Sequence, residues 1–323
     1  MTKRRVVMLG AAALAASRRA FGQAPEAWPS RPIRLVVPFG LGGSADVAAR
    51  FLAEPMSQAL GQPVVVDNRP GGGAVIGTDV VAKAAPDGHT ILMMSNTHTA
   101  NETLLPQRPY ELMRDLTAVA AVNIAYHVLA VHPRLGLASV PALIAWAKAH
   151  PGQLDYASSG PGTPYHIAGE VFRAMAGIEI NHIPFRGSNE ARTALISGQV
   201  PMMFDAIPTM REQIAAGRVI GLATTGPERS PLMPELPTVA ETLPGYQAAI
   251  WLGLMAPAGT PRPVVERLHA MVQAILDRPA ARAAQERMGA EPMTMTVTAF
   301  DAFLRADIAR QRDWIRMAHI EAG

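Results

Sequence analysis

Val36-Val37-Pro38-Phe39-Gly40-Leu41-Gly42-Gly43-Ser44-Ala45-Asp46 is the stretch that decides the fold. Ile33 to Val37 is a short apolar run of strand type, closed by Pro38 and a glycine-rich loop. Ser44 then caps a helix whose apolar residues Val47, Phe51, Leu52, Met56 and Leu60 recur at helical spacing until Gly61 stops them. Pro55 inside that pattern predicts a kink or a shortened helix. Outward from this unit the rhythm repeats. Val64 to Val66 reads as a strand, Pro70-Gly71-Gly72-Gly73 leads into a helix over 75–84, and Pro86-Asp87-Gly88 turns into a strand from Thr90 to Met94. Strands alternating with helices predict an α/β layer with parallel pairing.

The alternation restarts in the second half. Val128 to Val131 reads as a strand, and Ser139 caps a helix with Pro141 in its first turn that ends near Pro151-Gly152. Leu154 to Ala157 is a strand running into a second glycine loop, Ser158-Ser159-Gly160-Pro161-Gly162-Thr163. The helix after it carries Ile167, Val171 and Met175 on one face. A strand over 178–183, a helix from the Gly187-Ser188 cap to Ile196 and a strand over 200–204 follow. Ser230 to Pro244 is Pro-rich and irregular, Trp251 to Ala256 a returning strand. Helices over 263–276, 280–288 and 297–318 are expected to pack around the first lobe. Two similar halves predict two α/β lobes facing one another, the first formed by 26–126 with 250–323 and the second by 127–249.

The chain has 323 residues, 49% of them hydrophobic, enough for packed cores and more than the usual ~100–200 residues per domain. Without cysteine there is no disulfide, thiolate metal site or cysteine nucleophile. The formal charge of +3 hints at an anionic partner, but Lys3, Arg4, Arg5, Arg18 and Arg19 lie before Pro25 with no acidic residue among them. Without those five the 29 basic residues fall to 24 against 26 acidic ones, a net of −2. Lys3-Arg4-Arg5, the uncharged run Val6 to Ala16 and small residues around Gly22 and Ala24 come in the order of an export signal, 1–22, cleaved before Gln23. Either the general secretory or the twin-arginine route fits, and both lead to the periplasm. The apolar run is 11 residues, short of the ~20 a membrane-spanning helix needs.

Several chemistries are missing their residues. Gly71, Gly73 and Gly77 approach G-x-G-x-x-G, but the third glycine falls one position late. The three lysines, Lys3, Lys83 and Lys148, do not follow glycine, so no phosphate-binding P-loop is present. The esterase elbow G-x-S-x-G is absent around Ser159. Nine histidines are scattered with no H-E-x-x-H pattern. His98 and His166 either line a pocket or are satisfied by loop backbone. What remains coherent is a pair of helix N-termini, after Gly43 and after Gly162. Each offers unpaired N–H groups and the positive end of the helix dipole, with hydroxyls at Ser44, Ser158, Ser159 and Thr163. One such loop per lobe fits a cleft that clamps a small carboxylate. Asp205 should emerge at the carboxyl end of a strand, where α/β folds place ligands, or else cap the helix beginning near Pro208.

Specific blocks of sequence resemble a family: Val36-Val37-Pro38-Phe39 with Gly42-Gly43 and Asp46; Gly61-Gln62-Pro63-Val64-Val65-Val66 with Asn68-Arg69-Pro70-Gly71; and Ala84-Ala85-Pro86-Asp87-Gly88. Tyr156-Ala157-Ser158-Ser159-Gly160 with Gly162-Thr163 and His166, Gly198-Gln199-Val200 with Phe204-Asp205, Pro237-Thr238-Val239-Ala240-Glu241 and Ala256-Pro257-Ala258-Gly259-Thr260-Pro261 complete the set. From Trp28 to the C-terminus the chain resembles the Bug or TctC-like solute receptors of tripartite tricarboxylate transporters. The resemblance implies a two-lobed periplasmic-binding-protein type II (Venus flytrap) fold, a small carboxylate as ligand, no cofactor, and delivery to membrane permease subunits by a receptor expected to be monomeric. It implies no catalysis and no nucleic acid. The ligand contacts it implies are Phe39, Gly42, Gly43, Ser44, Ala45, Asp46, Ser95, Ser158, Ser159, Gly160, Gly162, Thr163, His166 and Asp205. Two departures stand out: Leu41 replaces the proline and Ala45 the threonine of the family's usual first loop, and Pro161, Pro164 and Tyr165 occupy small or polar positions of the second. Tyr165 should narrow the pocket or stack on a planar ligand. A secreted hydrolase and a ligand sensor for a two-component kinase are the rival readings.

Overall fold

Strand β1 (Ile33–Val37) buries every residue except Arg34, which identifies it as an inner strand. It pairs in parallel with β2 (Val64–Asn68) on one side and β3 (Thr90–Ser95) on the other. The computed structural model describes residues 28–320, so the export signal read over 1–22 lies outside the described residues. β3 pairs antiparallel with β9 (Ala249–Pro257), and β9 pairs antiparallel with the first part of β4 (Leu116–Val131). The remainder of β4, His127 to Val131, enters a second sheet, flanked by β7 (Met202–Ala206) and β8 (Ile220–Thr224). There β5 (Leu154–Ser158) pairs in parallel with β6 (Ile180–Pro184) and β7. A short β10 (Ala290–Pro292) borders β4. The two halves therefore have matching orders, β2-β1-β3-β9-β4 and β6-β5-β7-β4-β8, with β4 shared.

The chain crosses between halves along β4 and again between Thr224 and Ala249. Thr225 binds the crossings together. Its Oγ1 accepts the His127 N–H at 2.8 Å and donates to the Ala248 carbonyl at 2.6 Å, while its own N–H donates to the His127 carbonyl at 2.9 Å.

Helices cover both sheets. In the first half these are α1 (Ser44–Leu60), α2 (Val75–Ala82), α3 (Asn96–Leu104) and the single turn α4 (Leu112–Asp115). The second half has α5 (Val140–Ala149), α6 (Pro164–Ala176), α7 (Ser188–Ile196) and α8 (Ile207–Ala215). The C-terminal helices are α9 (Arg262–Leu276), α10 (Pro279–Arg287) and α11 (Val297–Met317). Pro55 neither breaks nor shortens α1, which runs on to Leu60. The buried stripe of α1 is Ala45, Ala48, Ala49, Leu52, Ala53, Met56 and Leu60; Val47, expected in it, is exposed. Gly43, not Ser44, is the N-cap of that helix.

The last helix departs from the expectation that it serves one lobe. Asp307, fully buried, accepts from Thr99 Oγ1 at 2.5 Å and Trp251 Nε1 at 3.3 Å, and pairs with Arg310; these contacts tie α11 to α3 and β9. Its final turns enter the other half, where Ile315, Ala318 and Ile320 join the apolar core containing Phe172 and Arg173 Nη2 donates to the Ala318 carbonyl at 2.5 Å. In that half α6 lies unusually close to β5. A Cβ on Gly169 would stand 2.3 Å from the Tyr156 ring, so only glycine permits the approach.

Candidate ligand-binding site

The loops before α1 and α6 are built alike. Gly42 and Gly162 have φ of 75° and 69°, a left-handed conformation that glycine adopts without steric cost. The next residues, Gly43 and Thr163, are extended N-caps, with φ/ψ of −75°/165° and −74°/158°. Three residues further on, a side chain reaches back: Gly42 N–H donates to Asp46 Oδ2 at 2.9 Å, and Gly162 N–H donates to His166 Nδ1 at 3.0 Å. α3 uses the same device, its cap Ser95 donating its N–H to His98 Nδ1 at 3.1 Å. Asp46 and His166 thus brace the loops from behind, and neither borders the cleft between the halves.

Asp46 is also held by Arg50 Nε at 3.0 Å and Asn68 Nδ2 at 3.0 Å. Burial alone would raise its pKa, but these bonds, the Gly42 N–H and the Arg50 charge together keep the carboxyl below its ordinary range. Burial lowers His166 to about 4, helped by the Arg173 charge, so it is neutral at pH 7. His182 stacks on it with ring centroids 4.0 Å apart and is likewise lowered to about 4, by burial and then by His166.

The braced loops surround a small cavity of about 120 Å³. Its walls are Phe39, Gly43, Ser44 and Ala45 from the first loop, Ser95 and Thr97 from α3, and Ser159, Thr163, Pro164 and Tyr165 from the second loop and α6. Ser188, Ile250 and Leu252 complete it. Four helices, α1, α3, α6 and α7, present their N-terminal residues there. The N–H groups of such first turns have no intrahelical acceptor. Seven hydroxyl-bearing residues line the same wall, Ser44, Ser95, Thr97, Ser159, Thr163, Tyr165 and Ser188, and no residue charged at pH 7 does; the Thr163 hydroxyl donates to the Gly160 carbonyl at 2.7 Å. Partial positive charge from dipoles, with no formal countercharge, is an environment for a small anion. Phe39 and Thr163 continue into a hollow of about 490 Å³ that includes Gly42's counterpart Gly162 and the Gly71–Gly73 turn. On the opposite side Ser44, Ile250 and Leu252 continue into one of about 300 Å³, which Gly42 also lines.

Of the expected contacts, Phe39, Gly43, Ser44, Ala45, Ser95, Ser159 and Thr163 meet in the small cavity, and Gly42 and Gly162 in its extensions. Ser158 and Gly160 stand behind the second loop. Ser158 Oγ accepts the Gly160 N–H at 3.0 Å and lies 2.6 Å from His182 Nε2. That is the serine–histidine contact a hydrolase would need, but Ser158 is 0% exposed and away from the cleft, so the pair stiffens the loop.

Asp205 differs most from expectation. It follows the strand as read, yet its carboxylate is 0% exposed, bound to Arg192 Nε at 2.7 Å and absent from the lining of the cleft. α8 is capped by Ala206 without a side-chain bond. Burial pushes the Asp205 carboxyl up, and the opposing Arg192 charge does not cancel that. The ion pair explains the difference: Arg192 on α7 supplies the partner that sequence could not locate. Asp205 in turn acts on Tyr165, whose hydroxyl it and burial keep protonated far above neutrality. His127 packs edge-on against Tyr165 with centroids 4.8 Å apart.

Thr97, Pro164, Ser188, Ile250 and Leu252 were not anticipated as cavity residues. Ser188 alone had a signal, as the first residue after a glycine that opens a helix. Ile250 and Leu252 read only as core.

Residues 48–320 match the family model described as the tripartite tricarboxylate transporter family receptor. The chain is 38% identical over 294 residues to Protein BugT of Bordetella pertussis, spanning 90% of each. Among solved structures it resembles Rpa4515 of R. palustris with adipate, at a TM-score of 0.85 and 34% identity, covering 91% of this chain and 99% of that one. It also resembles MatC from Rhodopseudomonas palustris with bound malate, at a TM-score of 0.80 and 30% identity, covering 89% and 100%.

Proposed function

Because the chain belongs to the tripartite tricarboxylate transporter receptor family, whose members are periplasmic solute receptors, we propose that it captures a small organic carboxylate between its lobes and passes it to membrane permease subunits. The fold is α/β, of the two-lobed type II periplasmic-binding kind. The lobes we assign are 26–126 with 250–323, and 127–249, moving about the Thr225-bound crossings. The N-terminal 22 residues are the export signal.

One observation carries the ligand class: four helix N-termini and a set of serine and threonine residues line a cavity without a charged side chain. A carboxylate leaving bulk water needs several hydrogen-bond donors to replace its hydration. Fixed N–H and O–H dipoles supply these without the desolvation of a lysine or arginine. The related structures hold adipate and malate, both carboxylates. Against the hydrolase reading, the serine–histidine contact at the second loop, Ser158 with His182, is buried behind that loop.

The test is calorimetry of the mature protein with a panel of mono-, di- and tricarboxylates, beside Gly43→Val. Gly43 has φ of −75°, and a Cβ there meets only the Gly40 carbonyl, at an ordinary 3.5 Å, so the fold tolerates the change. The valine methyls would take up cavity volume where the anion approaches the backbone. Binding by the natural chain and its loss in this variant, with cooperative unfolding retained, is the expected result. A panel without one binding carboxylate, or undiminished affinity in Gly43→Val, refutes the assignment.

A further inference from the structure

Every ion pair among the described residues joins two groups of one lobe; none crosses between the lobes. The lobes nevertheless touch where α8 meets the end of α10. Gly289, with φ of 68°, lies so close to Pro208 in the first turn of α8 that a Cβ on it would stand 2.5 Å from the proline ring. Beside this contact a hollow of about 390 Å³ opens between the two helices. Pro208, Arg211, Glu212 and Leu232 line it from one lobe, Glu286 and Arg287 from the other. The four charged residues are exposed and belong to none of the ion pairs of the described residues. A cation and an anion of one lobe thus face a cation and an anion of the other across a gap.

Their placement matches opposite signs. At about 100° per residue, the order around α8 is Thr209, Glu212, Pro208, Arg211. Thr209 lines the neighbouring hollow of about 300 Å³, and so does Arg287, whereas Glu286 does not. Arg287 therefore lies on the Glu212 side of α8, and Glu286 on the Arg211 side.

We propose that Glu212 with Arg287, and Arg211 with Glu286, form a latch: two ion pairs that close across this hollow when the lobes come together and break when they part. Rotation with the Pro208–Gly289 contact as its near edge narrows the hollow and brings the charges within reach. Because the pairs exist only in the closed form, they shift the lobe equilibrium toward closure and tighten retention of a ligand they never touch. The latch rests on the two-lobed receptor reading given above and adds ionic strength as a regulator of it, since exposed pairs weaken as salt screens them.

The chain has no cysteine, so an engineered disulfide can report the approach of the helices. Arg211→Cys with Glu286→Cys places one thiol on each helix and leaves Glu212 and Arg287 free to pair. A disulfide between them needs Cα atoms within about 7 Å. Oxidation of the ligand-free mature protein with diamide, followed on non-reducing gels, gives the cross-linking rate. The doubly substituted protein should cross-link, and more slowly when salt is raised to about 0.5 M. Adding Glu212→Arg should slow the reaction about threefold or more, because an attraction worth up to about fivefold becomes a repulsion. Adding Arg287→Glu to that variant should restore the rate. All the substituted positions are exposed, and thermal unfolding records that each variant is folded. Absence of a cross-link overturns the approach of the two helices. A rate indifferent to Glu212→Arg, or one left slow after Arg287→Glu, overturns the ion pairs. No ligand is added at any stage, so failure of the latch is separable from failure of the carboxylate panel.

Discussion

Acidification should act on His98 in a way that can be isolated. Its Nδ1 accepts the Ser95 N–H at 3.1 Å, and its Nε2 lies 3.0 Å from Thr78 Oγ1, which donates its own proton to the Ala74 carbonyl at 2.8 Å. That network assigns the neutral Nε2–H tautomer. Protonating Nδ1 would remove the acceptor that holds the α3 cap, in a site 1% exposed. Burial accordingly lowers His98 from 6.5 to about 4. The unfolded chain takes up the proton first, so the stabilisation is complete above pH 6.5 and is lost progressively as pH falls toward about 4. A gap of about 2.5 pH units, at about 1.36 kcal/mol each, corresponds to about 3 kcal/mol. His98→Gln cannot titrate. It should be less stable than the natural chain at pH 7.5, but the difference should shrink by about 2 kcal/mol between pH 6.5 and 5. Urea unfolding of both proteins at several pH values measures this, and the contributions of His127, His166 and His182 cancel in the comparison. Parallel stability–pH curves for the two proteins would refute the assignment of a neutral, cap-bonded His98.

Other expectations follow from single contacts. Arg192→Leu strips the partner from a fully buried carboxylate and should cost about 3 kcal/mol, whereas adding Asp205→Asn to it should recover part of the loss; equal stability of the single and double variants in urea would contradict this. Gly169→Ala forces a Cβ to within 2.3 Å of the Tyr156 ring and should lower stability by about 1–3 kcal/mol, read by thermal unfolding. Mass spectrometry of periplasmic protein should find a chain beginning near Gln23; an intact N-terminus retained in the cytoplasm would dispose of the export signal.

The strand–loop–helix units were legible because glycine loops and helical apolar spacing are local signals. β1, α1, β5 and α6 all lie within a residue or two of where the sequence put them. α3 was not legible. Asn-Thr-His-Thr-Ala-Asn-Glu-Thr-Leu has no apolar stripe, since the helix is buried through polar residues bonded to neighbours such as Asp307. The first half of β4 was missed for the opposite reason: Leu116 to Ala125 is rich in alanine, without the alternation that marks a half-exposed strand. At the site, the glycines and hydroxyls could be read as a set, but their facing direction could not. Asp46, Ser158, His166 and Asp205 carry the right chemistry and point away from the cleft, because each is engaged by a partner 4 to 24 residues distant in sequence.

The uncharged lining of the inner cavity has a consequence for the heat of binding. Tyr165 is the one ionisable side chain in that wall, and it stays protonated well past neutrality. The histidines behind the loops are already neutral, with His98, His166 and His182 lowered to about 4. A fully ionised ligand entering between roughly pH 6 and 8 should therefore exchange no proton with the groups lining the cavity, and its affinity should be flat across that range. Calorimetric enthalpies measured in buffers of very different ionisation heat, phosphate and Tris for instance, should coincide. The receptor would thus hold its ligand through swings in external acidity that unsettle binding sites built on histidine.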